Sequence, residues 1–385
     1  MKKLITAILV ITCLFGAFAG DFKFSVSDTE NHSEILFGIP TSATLGVEYR
    51  GFTFLPGNTT GIKLSAGAGY AQRFLLQNPD TGEPLRENIQ IYDVAQFRWG
   101  LELSQGLSND LFTVFAGYEG RWEKAKDSIL LPDGGGFPRK DNIERWRGEG
   151  KKKPVVTFDD WFNNEMEASS TRENTKIYPD ISKDGKAFHV LYLGGRFNMM
   201  EQSFDKTQGY SAGLRIMASP ENFYGLNANA KGGWMLLEND NITLSVADTV
   251  NFTFIDGDAV PVYIQKQYSA GRFVRGLVYN SYNTTLSIVN NMDLRLAFKY
   301  KIFKCLQPAA TLFFDNGYAF GNYFNTGHNG IAAVEADKIL SVLGTQIELR
   351  CFELFNIGLQ AATIISGEYA TRPDTQLQFK VIFSF

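Results

Sequence analysis

The sequence predicts an all-β chain: a transmembrane antiparallel β-barrel of about 14 to 16 strands with long extracellular loops. Three observations predict it. Period-two alternation of apolar and polar residues runs for about 11 to 15 residues in most segments, long enough for a tilted strand to cross a bilayer. Short and long connections alternate along the chain. The last eleven residues form an alternating strand that ends in Phe385.

Bulk properties agree. The chain has 385 residues, a net charge of −4, 32 Phe and 16 Tyr, an aromatic supply that suits the interfacial girdles of a barrel. Mean hydropathy is −0.14, which looks soluble, but in a membrane barrel only every second residue meets lipid. Residues 1–20 read as a signal peptide. Lys2 and Lys3 are its positive start, Leu4 to Phe15 its apolar stretch, and Ala17-Phe18-Ala19 its small-x-small cleavage site. The rival, a lipoprotein acylated at Cys13, would leave Leu14 to Phe18 on the mature protein. The mature barrel is therefore expected over 21–385. Beyond residue 20 no run of about eighteen apolar residues occurs, so strands must do the spanning.

The alternation is clearest between Ile242 and Phe254, where Ile242, Leu244, Val246, Val250, Phe252 and Phe254 share one parity. Asp248 interrupts that face and predicts a bulge or shift. Leu286 to Tyr300 repeats the pattern, with Ser287, Asn291, Asp293, Arg295 and Lys299 between apolar residues. Ile62 to Leu76, Phe97 to Leu103, Phe112 to Trp122 and Ile339 to Cys351 follow suit. Short links are expected at 55–59, 107–110, 205–207, 239–241, 301–305 and 353–354. Longer ones are expected at 78–92, 123–186, 256–283, 323–335 and 367–373, with a short exception at 219–222. Residues 123–186, polar and carrying Gly134-Gly135-Gly136 and Lys151-Lys152-Lys153, read as one large extracellular loop. About fourteen strands can be placed; either a further pair lies within 123–186, for instance around 154–161, and raises the count to sixteen, or the barrel is smaller.

In the final strand Thr375, Leu377, Phe379, Val381, Phe383 and Phe385 make one face, opposed mostly by polar residues. This resembles the signal by which assembly machinery recognises outer-membrane barrels, and assigns that role to Phe379, Val381, Phe383 and Phe385.

The loop 256–283 contains Ala270-Gly271-Arg272-Phe273-Val274-Arg275-Gly276-Leu277. It is followed by Asn291-Met292-Asp293-Leu294-Arg295 and by Phe313-Phe314-Asp315-Asn316-Gly317 on the next two strands. This order resembles the bacterial surface antigen barrel family, the superfamily of outer-membrane assembly proteins and two-partner-secretion transporters. The resemblance implies that the loop tip folds into the lumen and that its arginine meets an inward acidic residue. Here those are Arg275 and Asp315, with Gly276 and Gly317 beside them. Parity agrees, because Leu312 and Phe314 facing lipid turn Asp315 inward. Leu277 departs from the family's usual aromatic. The family's assembly and secretion members carry polypeptide-transport-associated domains ahead of the barrel; a barrel-only member is expected here.

Two functions stay open: a transport or membrane-assembly role with a separate periplasmic partner, or a passive channel or structural surface antigen. An enzyme is not expected, since His32, His189 and His328 sit in no recognisable nucleophile setting. No cofactor, metal or nucleic-acid motif is read, and the expected surroundings are outer-membrane lipid and the assembly machinery. Cys305 and Cys351 are expected near one another at the periplasmic rim, with a disulfide between them the less favoured outcome.

Overall fold

The computed structural model describes residues 21–27, 42–52, 54–75, 90–127, 184–257, 260–276, 284–323, 338–352, 355–366 and 375–383. Residues 1–20 and 128–183, Leu277, His32, His328 and Phe385 lie outside the described residues. The strands are β1 (Asp21–Ser27), β2 (Ser42–Phe52), β3 (Thr60–Leu75), β4 (Gln90–Leu107), β5 (Phe112–Asp127), β6 (Lys186–Asn198), β7 (Glu201–Gln202) and β8 (Thr207–Ser219). They continue with β9 (Phe223–Glu238), β10 (Ile242–Gly257), β11 (Thr284–Phe298), β12 (Leu306–Tyr323), β13 (Lys338–Cys351), β14 (Phe355–Ser366) and β15 (Thr375–Phe383). Each pairs antiparallel with its chain neighbour in one sheet, except the short β7, which pairs only with β8. Among the described residues β1 and β15 share no ladder.

The alternation seen in the sequence becomes two faces. On β12 Thr311, Phe313, Asp315, Gly317 and Ala319 are buried, while Leu312 and Tyr318 are exposed. On β6 Phe188, Val190 and Tyr192 are buried, whereas Leu191 and Leu193 are 62% and 59% exposed. A soluble sheet would not leave aliphatic side chains outward along strand after strand; a sheet solvated by lipid must.

Aromatic residues edge this outward face at both ends. Ten residues separate Phe112 from Trp122 on β5, and ten separate Tyr224 from Trp234 on β9, all four exposed. At ~3.3 Å per residue and a tilt of ~40°, ten residues span about 25 Å of membrane, the height of a barrel's apolar band. Near the short-turn end Trp234 Nε1 donates to Tyr210 Oη at 3.2 Å, and near the other end Trp99 Nε1 donates to Tyr118 Oη at 3.2 Å. These polar tips suit a water–lipid boundary.

Two expectations need correction. Asp248 causes no bulge: it stays in register between Gly232 and Met292, and its carboxylate accepts a hydrogen bond from Asn290 Nδ2. The ladder shifts instead at Leu244/Ser245. The connection read as beginning at Glu123 begins later, because β5 runs on to Asp127 and Glu123 pairs with Lys186. Beyond the aromatic edge both faces are polar, so alternation fades there while the ladder continues.

Cys305 and Cys351 are free thiols. Leu306 is in register with Cys351, and Phe352 N–H donates to the Cys305 carbonyl at 2.8 Å, so the two residues lie near one another at the short-turn ends of the paired strands β12 and β13, in two different turns. Phe379, Val381 and Phe383 stand opposite Leu359, Ile357 and Phe355 of β14. Replacing Phe383 with Asp, or deleting Phe385, is expected to lower the yield of heat-modifiable barrel in outer-membrane fractions. Equal yields for both variants and wild type would remove the assembly role from this strand.

Candidate functional site

The connection between β10 and β11 carries two short helices, α1 (Val262–Tyr268) and α2 (Ala270–Phe273). Sequence reading anticipated a folded-in loop here but not the helices. The signal was present: Pro261 can start a helix, and Val260, Ile264 and Tyr268 recur at the spacing of one helical face.

Both helices lie on the inner face. Val260, Tyr263, Ile264 and Tyr268 form one buried cluster with Phe188, Val190 and Tyr192 of β6, Met217 of β8, Phe223 of β9 and Ile255 of β10. Tyr263 also reaches β5, where the Arg121 guanidinium stacks 4.1 Å from its ring centre. Ala270 and Val274 form a second cluster with Val289, Phe313, Leu340, Val342, Ala362 and Ile364 on β11 to β14. One segment therefore touches strands from β5 to β14, eight steps apart in the sheet. Laid flat at ~4.8 Å per strand that distance is about 38 Å, whereas thirteen largely helical residues rise about 20 Å. The sheet must curl around the segment.

At the tip the polar contacts converge on Asp315, whose side chain is fully buried. It accepts the Arg275 backbone N–H at 2.7 Å, Arg275 Nε at 2.9 Å and Nη2 at 2.6 Å. A carboxylate with no water access needs donors of this kind, and the guanidinium fork supplies two in one plane. Arg275 Nη2 also pairs with Asp293 Oδ1 at 2.6 Å, and the guanidinium lies 4.0 Å from the Phe313 ring centre. Burial opposes the Arg275 charge, but the hydrogen bonds and charges of Asp315 and Asp293 outweigh it and raise its pKa. Asn291 Nδ2 holds the preceding turn by donating to the Phe273 carbonyl at 2.8 Å. Higher up, Thr253 Oγ1 donates to the Tyr268 carbonyl at 2.7 Å, and burial pushes the Tyr263 and Tyr268 phenols up.

Two glycines make the approach possible. Gly276 has φ +86°, and a Cβ there would stand 2.6 Å from Ala362 Cβ. A Cβ on Gly317 would stand 3.1 Å from Val274 Cγ2, so the bare backbone gives Val274 its place. The structure thus brings Arg275, Gly276, Asp315 and Gly317 to one point and adds Asp293 to it, while Tyr263 secures the same segment in the other cluster; sequence reasoning assigned neither Asp293 nor Tyr263. Asp293 was findable, because its parity on β11 matches that of the inward Asn291 and Arg295.

His189 does not build a nucleophile site: its Nδ1 lies 2.7 Å from Tyr118 Oη on the outer face, and Ser219 Oγ donates to the His189 carbonyl instead of its ring.

Fold and site together define a membrane-type antiparallel β-barrel with one long connection folded inward. No family model matches the chain, and no curated protein does. Solved structures are similar to it. BamA from Haemophilus ducreyi lacking POTRA domains 1–3 is 12% identical, with 95% of this chain and 70% of that one covered and a TM-score of 0.47. CdiB from Acinetobacter baumannii is 12% identical, with 89% and 50% covered and a TM-score of 0.44. CdiB from Escherichia coli is 7% identical, with 91% and 57% covered and a TM-score of 0.43. This chain spans half to 70% of the length of those three.

Proposed function

We propose that this chain is an outer-membrane barrel of the surface-antigen, assembly and secretion type, closed by its first and last strands after removal of residues 1–20. Its role is transport or membrane assembly, with a separate periplasmic partner and without catalysis. The observation that carries the reading is the inward segment 260–276, latched through Arg275 to Asp315 and Asp293. A passive pore gains nothing from filling its own lumen with an apolar plug, whereas a barrel that opens on demand needs a removable one. In this reading Arg275, Gly276, Asp315 and Gly317 anchor the loop, Phe379, Val381, Phe383 and Phe385 are read by the assembly machinery, and the outward face is solvated by outer-membrane lipid.

One observation favours the second reading, a passive channel. On β2, β3 and β4 the inner face carries Gly46, Ser65 and Gly100 in one register row and Glu48, Lys63 and Glu102 in another. Small and charged side chains of this kind suit a wall along a water path. Planar-bilayer recording separates the two. The transporter reading expects small, noisy conductance from the wild-type protein, with more frequent openings in Arg275→Ala. A large steady conductance in wild type, unchanged by that substitution, would establish the channel reading in its place.

A further inference from the structure

The inner face is covered a second time, from the opposite end. The connection between β6 and β8, which the sequence presents as a plain turn, is a hairpin folded back on itself. Met199 N–H donates to the Tyr210 carbonyl at 2.8 Å, Ser203 N–H donates to the Lys206 carbonyl at 2.8 Å, and β7 pairs with Thr207 and Gln208. Two glycines let it bend inward. Gly209 has φ +104°, and a Cβ there would stand 2.1 Å from the Met199 carbonyl oxygen. On β9, Gly233 faces inward opposite Ala247, and a Cβ there would stand 2.8 Å from Thr207 Cγ2 and 3.1 Å from the Thr207 carbonyl carbon. Beside it Lys231 Nζ donates to Gln202 Oε1 at 2.9 Å.

The tip residue, Phe204, lands on strands far from its own. It is only 9% exposed and packs against Ala297 of β11 and Ala309 of β12. Arg295 Nε and Nη2 donate to the Phe204 carbonyl at 3.1 and 3.0 Å, and the guanidinium sits 4.9 Å from the ring centre. Arg350 of β13 flanks the ring at 5.8 Å. Arg295 is itself held by Glu348 and, at 3.1 Å, by Thr311 Oγ1. Two alanines make the seat and two arginines its rim, so a solvated turn has been replaced by a built closure. Arg295 follows Asp293 by two residues on the same inward row, which sets this seat immediately beside the Arg275 latch.

We propose that residues 199–207 are a second gate at the short-turn end, in series with the segment 260–276, so that a small hydrophilic solute passes only when both leave the inner face. The proposal rests on the reading that the barrel has a path to gate. The hairpin suits the part: it holds to its own strands through a two-residue ladder and a few polar contacts, and such segments open at less cost than a long ladder.

Open probability in planar bilayers tests it. Phe204→Ala empties the seat, while Gly233→Val pushes the Thr207 backbone away and leaves the seat intact. For gates in series each single release, Arg275→Ala included, raises open probability only slightly. Arg275→Ala combined with either hairpin variant raises it by about tenfold or more over Arg275→Ala alone. If Arg275→Ala alone already conducts as well as both doubles, the hairpin is no gate and the proposal fails, while the pore reading stands. If folded, heat-modifiable doubles pass no current, both readings fall together. Should Phe204→Ala fail to fold, the Gly233→Val double decides the question.

Discussion

Replacing Arg275 with alanine is expected to cost about 3–5 kcal/mol of loop docking, the scale for removing one partner of a buried ion pair. The cost comes from what is left behind. Asp315 has no exposed side-chain area, and without the Arg275 side chain it keeps, among the described residues, the backbone N–H of residue 275. Asp293 is 34% exposed on its side chain, so water replaces much of its share and adds little to the total. The converse substitution is milder. In Asp315→Ala the guanidinium keeps Asp293 and the Phe313 ring, so a loss of about 1.5–3 kcal/mol is expected, the worth of hydrogen bonds to a charged group. Arg275→Lys keeps the charge but loses the fork and the planar stack, and falls between wild type and alanine. Because the segment can detach before the sheet unfolds, the main readout is protease cleavage within 260–276, with denaturant unfolding of the whole barrel changing less. The double variant should recover part of the Arg275→Ala loss, since it removes the orphaned carboxylate. Strict additivity of the two single effects would show that the pair is not coupled.

How much of this was legible beforehand depended on whether one residue's surroundings were set by its own strand. Parity along β12 turned Asp315 inward because Leu312 and Phe314 had to face lipid, and no knowledge of neighbouring strands was needed. Which strands neighbour one another followed from connections short enough to join them directly, as at 239–241, though the ladder shift at Leu244/Ser245 did not. Contacts across the lumen were not legible in the same way. Phe204 looks like a turn residue in sequence, and only the curl of the sheet brings β11 to β13 within its reach. Tyr263 and Arg121 are likewise separated by the whole 128–183 connection and by β6 to β10, and nothing local marks either as the other's partner. Asp248 misled for a related reason: its partner Asn290 belongs to the next strand, so the break in the apolar face looked uncompensated. The glycines divide in the same manner. Gly276 stands out by its motif, but the need for a bare backbone at Gly233 depends on a hairpin that no sequence pattern places there.

Leu193→Lys is expected to destabilise the barrel by about 2–4 kcal/mol, the scale for a basic residue near the middle of a membrane barrel's outer face. The position follows from register. Leu193 pairs with Ala116 of β5, which stands four residues from Phe112 and six from Trp122, close to midway between the two aromatic edges. On its other side it pairs with Ile216 of β8, also outward and exposed, so no acidic or polar neighbour is at hand to receive an ammonium. A lysine stem can snorkel toward either edge, which moves the cost to the lower part of that range. Phe303→Lys is the matched control. Phe303 is 86% exposed in the turn between β11 and β12, beyond the short-turn aromatics, where the same charge should cost about 0–1 kcal/mol. Folding titrations into lipid vesicles measure both. Equal stability of the two variants would mean that Leu193 does not face the apolar core of a bilayer, and the outward face of β6 would have to be covered by something other than lipid.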